Sequence, residues 1–171
     1  MRWSAPSIGS FKISTFSKQQ GTKFASGGLI RDGYGNCLYA LGLYSESSCL
    51  LSSECDVLHE CLRICLSKGI MSITIESNSR ALGKMISHGL PPWRLDHIWG
   101  EIQKLLLHFS TKFEYVLQEC NEVARFLAKK ALTHSASFGI SDGFCCSSFR
   151  ALLILDMVCP HIRMSRASES H

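Results

Sequence analysis

The sequence predicts an α/β domain on a five-stranded mixed sheet, an antiparallel meander followed by parallel strands, flanked by helices. Three observations carry this. Residues 11–44 alternate apolar and polar side chains around Gly-rich turns, the pattern of antiparallel strands. From Ser48 onward, stretches with an apolar residue every three or four positions alternate with short β-branched runs. The 171 residues, 46% hydrophobic and 19% charged, suffice to bury one core and are too apolar for a disordered chain.

Residues 11–16 (FKISTF) alternate and form a first strand. Residues 17–26 are polar, a loop carrying Lys18, Gln19, Gln20 and Lys23. A short second strand, 27–31, meets the tight-turn cluster 32–36 (DGYGN), and 37–44 returns as the third strand. Residues 48–68 have Leu51, Cys55, Leu58, Leu62 and Cys65 on one helical face, with Gly69 as the stop. The fourth strand, 70–75, lies between two helices and reads as buried. Its end delivers Glu76 and then Asn78 to the edge where α/β sheets place ligands. Residues 79–88 form a short helix with Leu82 and Ile86 inward, ended by Gly89 and the Pro91–Pro92 pair. A longer helix spans 95–109, a fifth strand 113–117, and a last helix 121–132 with Asn121 as its cap. Residues 1–9 read as an extension, 10–132 as the domain and 133–171 as a tail. In that tail 135–143 is loop-like, 149–158 is one apolar element, and the last residues, 163–171, are expected to be disordered.

The formal net charge of +4 is compatible with a phosphate-backbone partner and far from the charge of a histone-like protein. Residues 1–49 hold five Lys/Arg against two acids, so most of the excess lies early. Nine cysteines, odd in number and without a CxxC pair, argue against a zinc ribbon or a thioredoxin-type motif. They read as reduced thiols of an intracellular protein, nuclear or cytoplasmic. No secretory signal is visible in the first 20 residues, and the longest late apolar run, 151–155, is too short to cross a membrane. The seven histidines show no metal-ligand spacing, and Trp3, Trp93 and Trp99 read as packing residues.

Three words in this order identify a family likeness. They are Gly27–Gly28–Leu29–Ile30–Arg31–Asp32–Gly33–Tyr34–Gly35–Asn36, Ile75–Glu76–Ser77–Asn78–Ser79, and Glu119–Cys120–Asn121–Glu122–Val123–Ala124–Arg125–Phe126–Leu127–Ala128–Lys129. With the element order, they resemble the ribonuclease H-like domain of plant retroelement-derived polyproteins and their stand-alone relatives, over roughly 11–132. The resemblance implies a ribonuclease H-like fold and, in the family, Mg²⁺-dependent hydrolysis of RNA–DNA hybrids through two metal ions held by four carboxylates.

Placed on this sequence, the first carboxylate position falls on Phe16, the second on Glu54, the third on Asn78 and the fourth on Arg125. A histidine that often precedes the last helix falls on Tyr115. One carboxylate of four is retained. Magnesium requires hard, preferably anionic oxygen ligands, so the resemblance implies no metal or other cofactor here and an inactive ribonuclease. Arg125 stands where a divalent cation should be, within reach of an ion pair with Glu54. Glu76 lies one pleat back from Asn78 and Glu122 one helical turn before Arg125; neither rebuilds the metal site. Nucleic-acid binding is a separate matter, since a hybrid or duplex RNA is read by backbone shape and phosphates without sequence specificity. Lys12, Lys18, Gln19, Gln20, Lys23 and Arg31 are the candidate contacts. Three functions remain open: a degenerate module that still binds nucleic acid, a structural or protein-interaction remnant, and an active hybrid ribonuclease.

Overall fold

The computed structural model describes residues 3–46, 49–89, 93–141 and 147–158. The strands are β1 (Phe11–Gln20), β2 (Lys23–Arg31), β3 (Cys37–Ser45), β4 (Ser72–Ser77), β5 (Ser110–Tyr115) and β6 (Phe138–Ser141). The helices are α1 (Leu50–Ser67), α2 (Arg80–His88), α3 (Asp96–Leu106), α4 (Glu122–His134) and α5 (Ser147–Val158). The sheet order is β5-β4-β1-β2-β3-β6, with β4 parallel to both β1 and β5 and the other pairs antiparallel. It is therefore six-stranded. The sixth strand falls in the stretch expected to be a loop, pairing with β3 from Tyr39↔Ser141 to Gly42↔Phe138.

Strand alternation gives the sheet two faces, each with its own core. Ile13, Ile30, Leu41, Ile73 and Ile75 pack with Cys55, Val57, Leu58, Cys61 and Leu62 of α1, Leu82 and Met85 of α2, and Trp99 and Ile102 of α3. On the opposite face Phe16, Leu29 and Ala40 pack with Val123, Ala124, Leu127 and Ala128 of α4 and Phe149 and Leu153 of α5. Two adjacent glycines of β2 bring the layers close. A Cβ on Gly27 would strike the Ala124 carbonyl and the Ala128 amide of α4, and one on Gly28 would strike Val57 and Cys61 of α1.

The hairpin between β1 and β2 is longer than expected. Pairing runs to Gln20↔Lys23 around Gly21, whose φ of 61° suits glycine. Lys18, Gln19, Gln20 and Lys23 thus sit on strand ends rather than in a ten-residue loop. The described parts of the expected extension and tail pack into the fold. Trp3 is buried, and α5 carries Phe149, Leu153 and Asp156 into the molecule. The expectations for 91–92, 142–146 and 159–171, and for the side chain of Trp93, lie outside the described residues. No helix among the described residues is long and apolar enough to cross a membrane.

Candidate functional site

β1 and β4 part company just beyond their last parallel pair, Thr15↔Ser77. At that edge four elements converge: Thr15 and Phe16 from β1, Glu54 from α1, Ser77 to Ser79 after β4, and the start of α4. Glu54 is 4% exposed and is held by hydroxyls. The Ser77 hydroxyl donates to Glu54 Oε1, as does that of Thr15 at 3.2 Å. Ser77 Oγ in turn accepts the Ser79 amide at 3.0 Å, and Ser79 Oγ caps α2 through the Leu82 amide at 3.1 Å. Burial pushes the Glu54 carboxyl above the ordinary carboxylate range, and the hydroxyls of Ser77, Ser79 and Thr15 oppose that rise.

Phe16, on the face opposite Thr15, is 5% exposed and belongs to the α4–α5 core. Asn78 is half-buried. Its Oδ1 lies 3.4 Å from Nδ2 of Asn121, which also donates to the Thr15 carbonyl at 2.7 Å. Asn121 was expected as a side-chain cap of the last helix. It makes no such bond and instead ties α4 to β1 and Asn78. Arg125 does not reach Glu54: its guanidinium donates to Glu122 Oε1 at 2.8 Å, one turn back on α4, and 43% of its side chain is exposed.

These residues do not fit a pair of Mg²⁺ ions. At the four positions the resemblance marks stand a ring, an amide, a guanidinium and one carboxyl already engaged by hydroxyls, whereas such ions require several anionic oxygens. Among the described residues, no three His, Cys, Asp or Glu side chains are grouped to hold a metal. The four positions sum to zero formal charge, where four carboxylates would carry about −4.

The candidate nucleic-acid contacts divide in two. Gln19, Gln20 and Lys23 are exposed and Lys18 half-buried at the end of the β1–β2 hairpin, with Lys23 Nζ 3.4 Å from Ser135 Oγ. Gln20 is four residues beyond Phe16, about 13 Å along the strand. Lys12 and Arg31, by contrast, are 2% and 1% exposed, so neither can meet a phosphate. Lys12 Nζ lies 3.3 Å from Glu76 and 2.9 Å from Glu114 and donates to the Ser4 carbonyl. Arg31 donates to Asp156 at 2.7 Å, approaches Glu76 at 3.7 Å, and lies 3.6 Å from the centre of the Trp3 ring. Glu76 also accepts from the Trp3 indole at 3.0 Å and from Ser14. Burial lowers the Arg31 pKa against the pull of Asp156 and Glu76. Two cations expected on the surface are thus paired with carboxylates inside. Nothing in the local sequence marks Trp3 or Asp156 as their partners.

A family model described as Reverse transcriptase-like matches residues 13–131. The chain belongs to that family. Solved structures that resemble it include ribonucleases H. RNase H1 from the archaeon Halobacterium salinarum is 20% identical, with a TM-score of 0.66 over 73% of this chain and 98% of that one. The N-terminal RNase H domain of a Mycobacterium tuberculosis protein is 16% identical, with a TM-score of 0.69 over 74% and 95%. LC11-RNase H1, solved with an RNA/DNA hybrid, is 18% identical, with a TM-score of 0.67 over 73% and 98%. No curated protein matches in sequence. The six-stranded mixed sheet with its helices is therefore an α/β ribonuclease H-like fold, shared by this reverse transcriptase-like domain with those enzymes.

Proposed function

We propose that this reverse transcriptase-like domain is a degenerate ribonuclease H module that does not cleave RNA–DNA hybrids and retains weak, sequence-independent binding to a hybrid or to duplex RNA. The observation that carries the first half is Phe16. Its ring is closed into the α4–α5 core at the position where the resemblance puts a metal-binding carboxylate, and it cannot swing out without opening that core. Asn78 and Arg125 add two more replacements from separate elements. Glu54, capped by hydroxyls and shifted toward its neutral form, is a poor ligand on its own.

The binding half rests on Lys18, Gln19, Gln20 and Lys23 at the exposed hairpin end and on half-exposed Arg125. It is consistent with the hybrid held by LC11-RNase H1 and with a foamy viral protease-reverse transcriptase solved with double-stranded DNA, 12% identical with a TM-score of 0.56. Plant retroelement ancestry goes with the three sequence words that carry the resemblance. An intracellular site, nuclear or cytoplasmic, goes with the free thiols of Cys55, Cys61 and Cys65.

The test pairs a hybrid-cleavage assay in Mg²⁺ and Mn²⁺ with the triple variant Phe16→Asp, Asn78→Asp, Arg125→Asp. No cleavage by the natural chain and cleavage by a folded triple variant is the expected result. Chelator-sensitive cleavage by the natural chain that disappears in Glu54→Gln would overturn it. Retention of a labelled hybrid should fall steeply with salt, since phosphate contacts release counterions. Retention that does not change with salt, or none at low salt, would remove the binding half and leave a structural remnant.

A further inference from the structure

The sheet has two edges, and β5 is the longer, six residues against four in β6. The geometry points to β5 as a self-pairing edge: two copies of this chain join antiparallel through it, with Lys112 of each opposite Glu114 of the other. The Ser110 amide donates to Met71 O and the Val116 amide to Ser77 O. Even-numbered residues of β5 therefore turn their backbone groups toward β4, and Thr111, Phe113 and Tyr115 turn theirs outward. Among the described residues, no backbone–backbone bond beyond the ladder involves those three. An open edge of this kind is a template for another strand.

Register then selects the partner. A two-fold axis must pass through a facing pair of identical residues, because the interface of two like chains is isologous. An axis at Lys112 sets lysine against lysine, and one at Glu114 sets glutamate against glutamate. An axis at Phe113 uses the outward backbone groups of Phe113 itself and pairs Thr111 with Tyr115 of the second copy. It also sets Lys112 against Glu114 twice, the favourable cross-strand arrangement. Lys112 is exposed, and Glu114 keeps about half its side chain exposed beside Lys12. The same antiparallel crossing brings Leu107, 86% exposed before β5, toward the end where Leu117, 41% exposed, follows β5 in the other copy. Charge complementarity and these apolar ends favour a second copy over an unrelated strand.

Sedimentation of the full chain across a concentration series at low and moderate salt reads the self-association. Lys112→Glu keeps every contact described within one chain and should weaken the dimer about tenfold or more, since like charges then face each other twice. Glu114→Lys should do the same, with a thermal melt checking that loss of the Lys12 contact has not unfolded it. Mixing the two variants is the decisive arm, because the mixed pair restores opposite charges at both positions. The expected result is two monomeric variants that dimerise together, with slowed amide exchange at Thr111, Phe113 and Tyr115. A natural chain that stays monomeric up to its solubility limit, with those amides exchanging freely, leaves the edge open to a different chain and overturns self-pairing. A dimer unaffected by Lys112→Glu overturns it equally.

Discussion

Phe16→Asp, the step needed to return a carboxylate to the position the resemblance marks first, should cost a large share of the stability of this domain. The ring is 5% exposed among Leu29, Ala40, Val123, Ala124, Leu127, Ala128, Phe149 and Leu153. Removing a buried phenylalanine ring costs about 3–5 kcal/mol. Leaving a polar group without partners in the same space adds about 1–3 kcal/mol, more if it is charged. The sum, about 4–8 kcal/mol, compares with a total of about 5–15 kcal/mol for an ordinary domain. Urea denaturation followed by circular dichroism measures it, with Phe16→Leu as the control that keeps the site apolar and should cost less than about 1.5 kcal/mol. A loss below about 1.5 kcal/mol for the aspartate would show that position 16 reaches solvent. Its ring would then not be what closes the site. Arg125→Asp is mild by comparison: it loses an exposed i,i+3 pair with Glu122 and substitutes a like-charge pair, each worth about 0.2–0.5 kcal/mol.

Gly27→Ala should destabilise by about 2–3 kcal/mol or more, because its methyl group meets α4 backbone rather than a movable side chain; a shift in the urea midpoint reads it. Trp3→Ala should cost about 3–5 kcal/mol in the same assay, by truncating a buried ring and stripping a donor from Glu76. Glu54 has a folded pKa above its unfolded value, so the folded state binds its proton more tightly. Its contribution to stability is full below the unfolded pKa of about 4.3 and is lost as pH rises through the higher folded value. Denaturation midpoints of Glu54→Gln should therefore gain on the natural chain as pH rises across that window, and parallel pH profiles would contradict the assigned shift.

What the chain discloses by itself is what repeats locally. The apolar spacing from Leu51 to Cys65 shows α1, and the Asp32–Gly33 turn shows the β2–β3 hairpin. β6 escaped because residues 138–141 hold four residues around Gly139 and owe their strand character to pairing with β3. The polar hairpin end escaped because Lys18, Gln19 and Gln20 look like a loop when the register with Lys23, Phe24 and Ala25 is unknown. Charge misled most. Lys12 and Arg31 read as surface cations because the carboxylates that pair with them are far away in sequence; Asp156 stands 125 residues from Arg31. Arg125 misled in the opposite sense, since Glu122, three residues away, captured it before Glu54 could. The family words point to Phe16, Glu54, Asn78 and Arg125, yet Phe16 turns to the opposite face and Arg125 stays on Glu122, while Thr15, Ser77 and Asn121, whose hydrogen bonds tie Glu54 and Asn78 to β1, carry no signal of that role in the sequence.

The Arg31–Asp156 pair has a consequence for where this protein may be cut. The family match stops at residue 131, and a polypeptide trimmed there would keep Arg31 and lose its nearest counter-ion. Starting it at residue 13 would remove Trp3 and Lys12 from around Glu76 as well. Each cut strands a buried charge, a defect worth about 3–5 kcal/mol. These buried ion pairs therefore close only in a polypeptide from Lys12 to Asp156, and starting it at Trp3 also keeps the ring that lies on Arg31, so both ends of the fold are fastened to a single arginine.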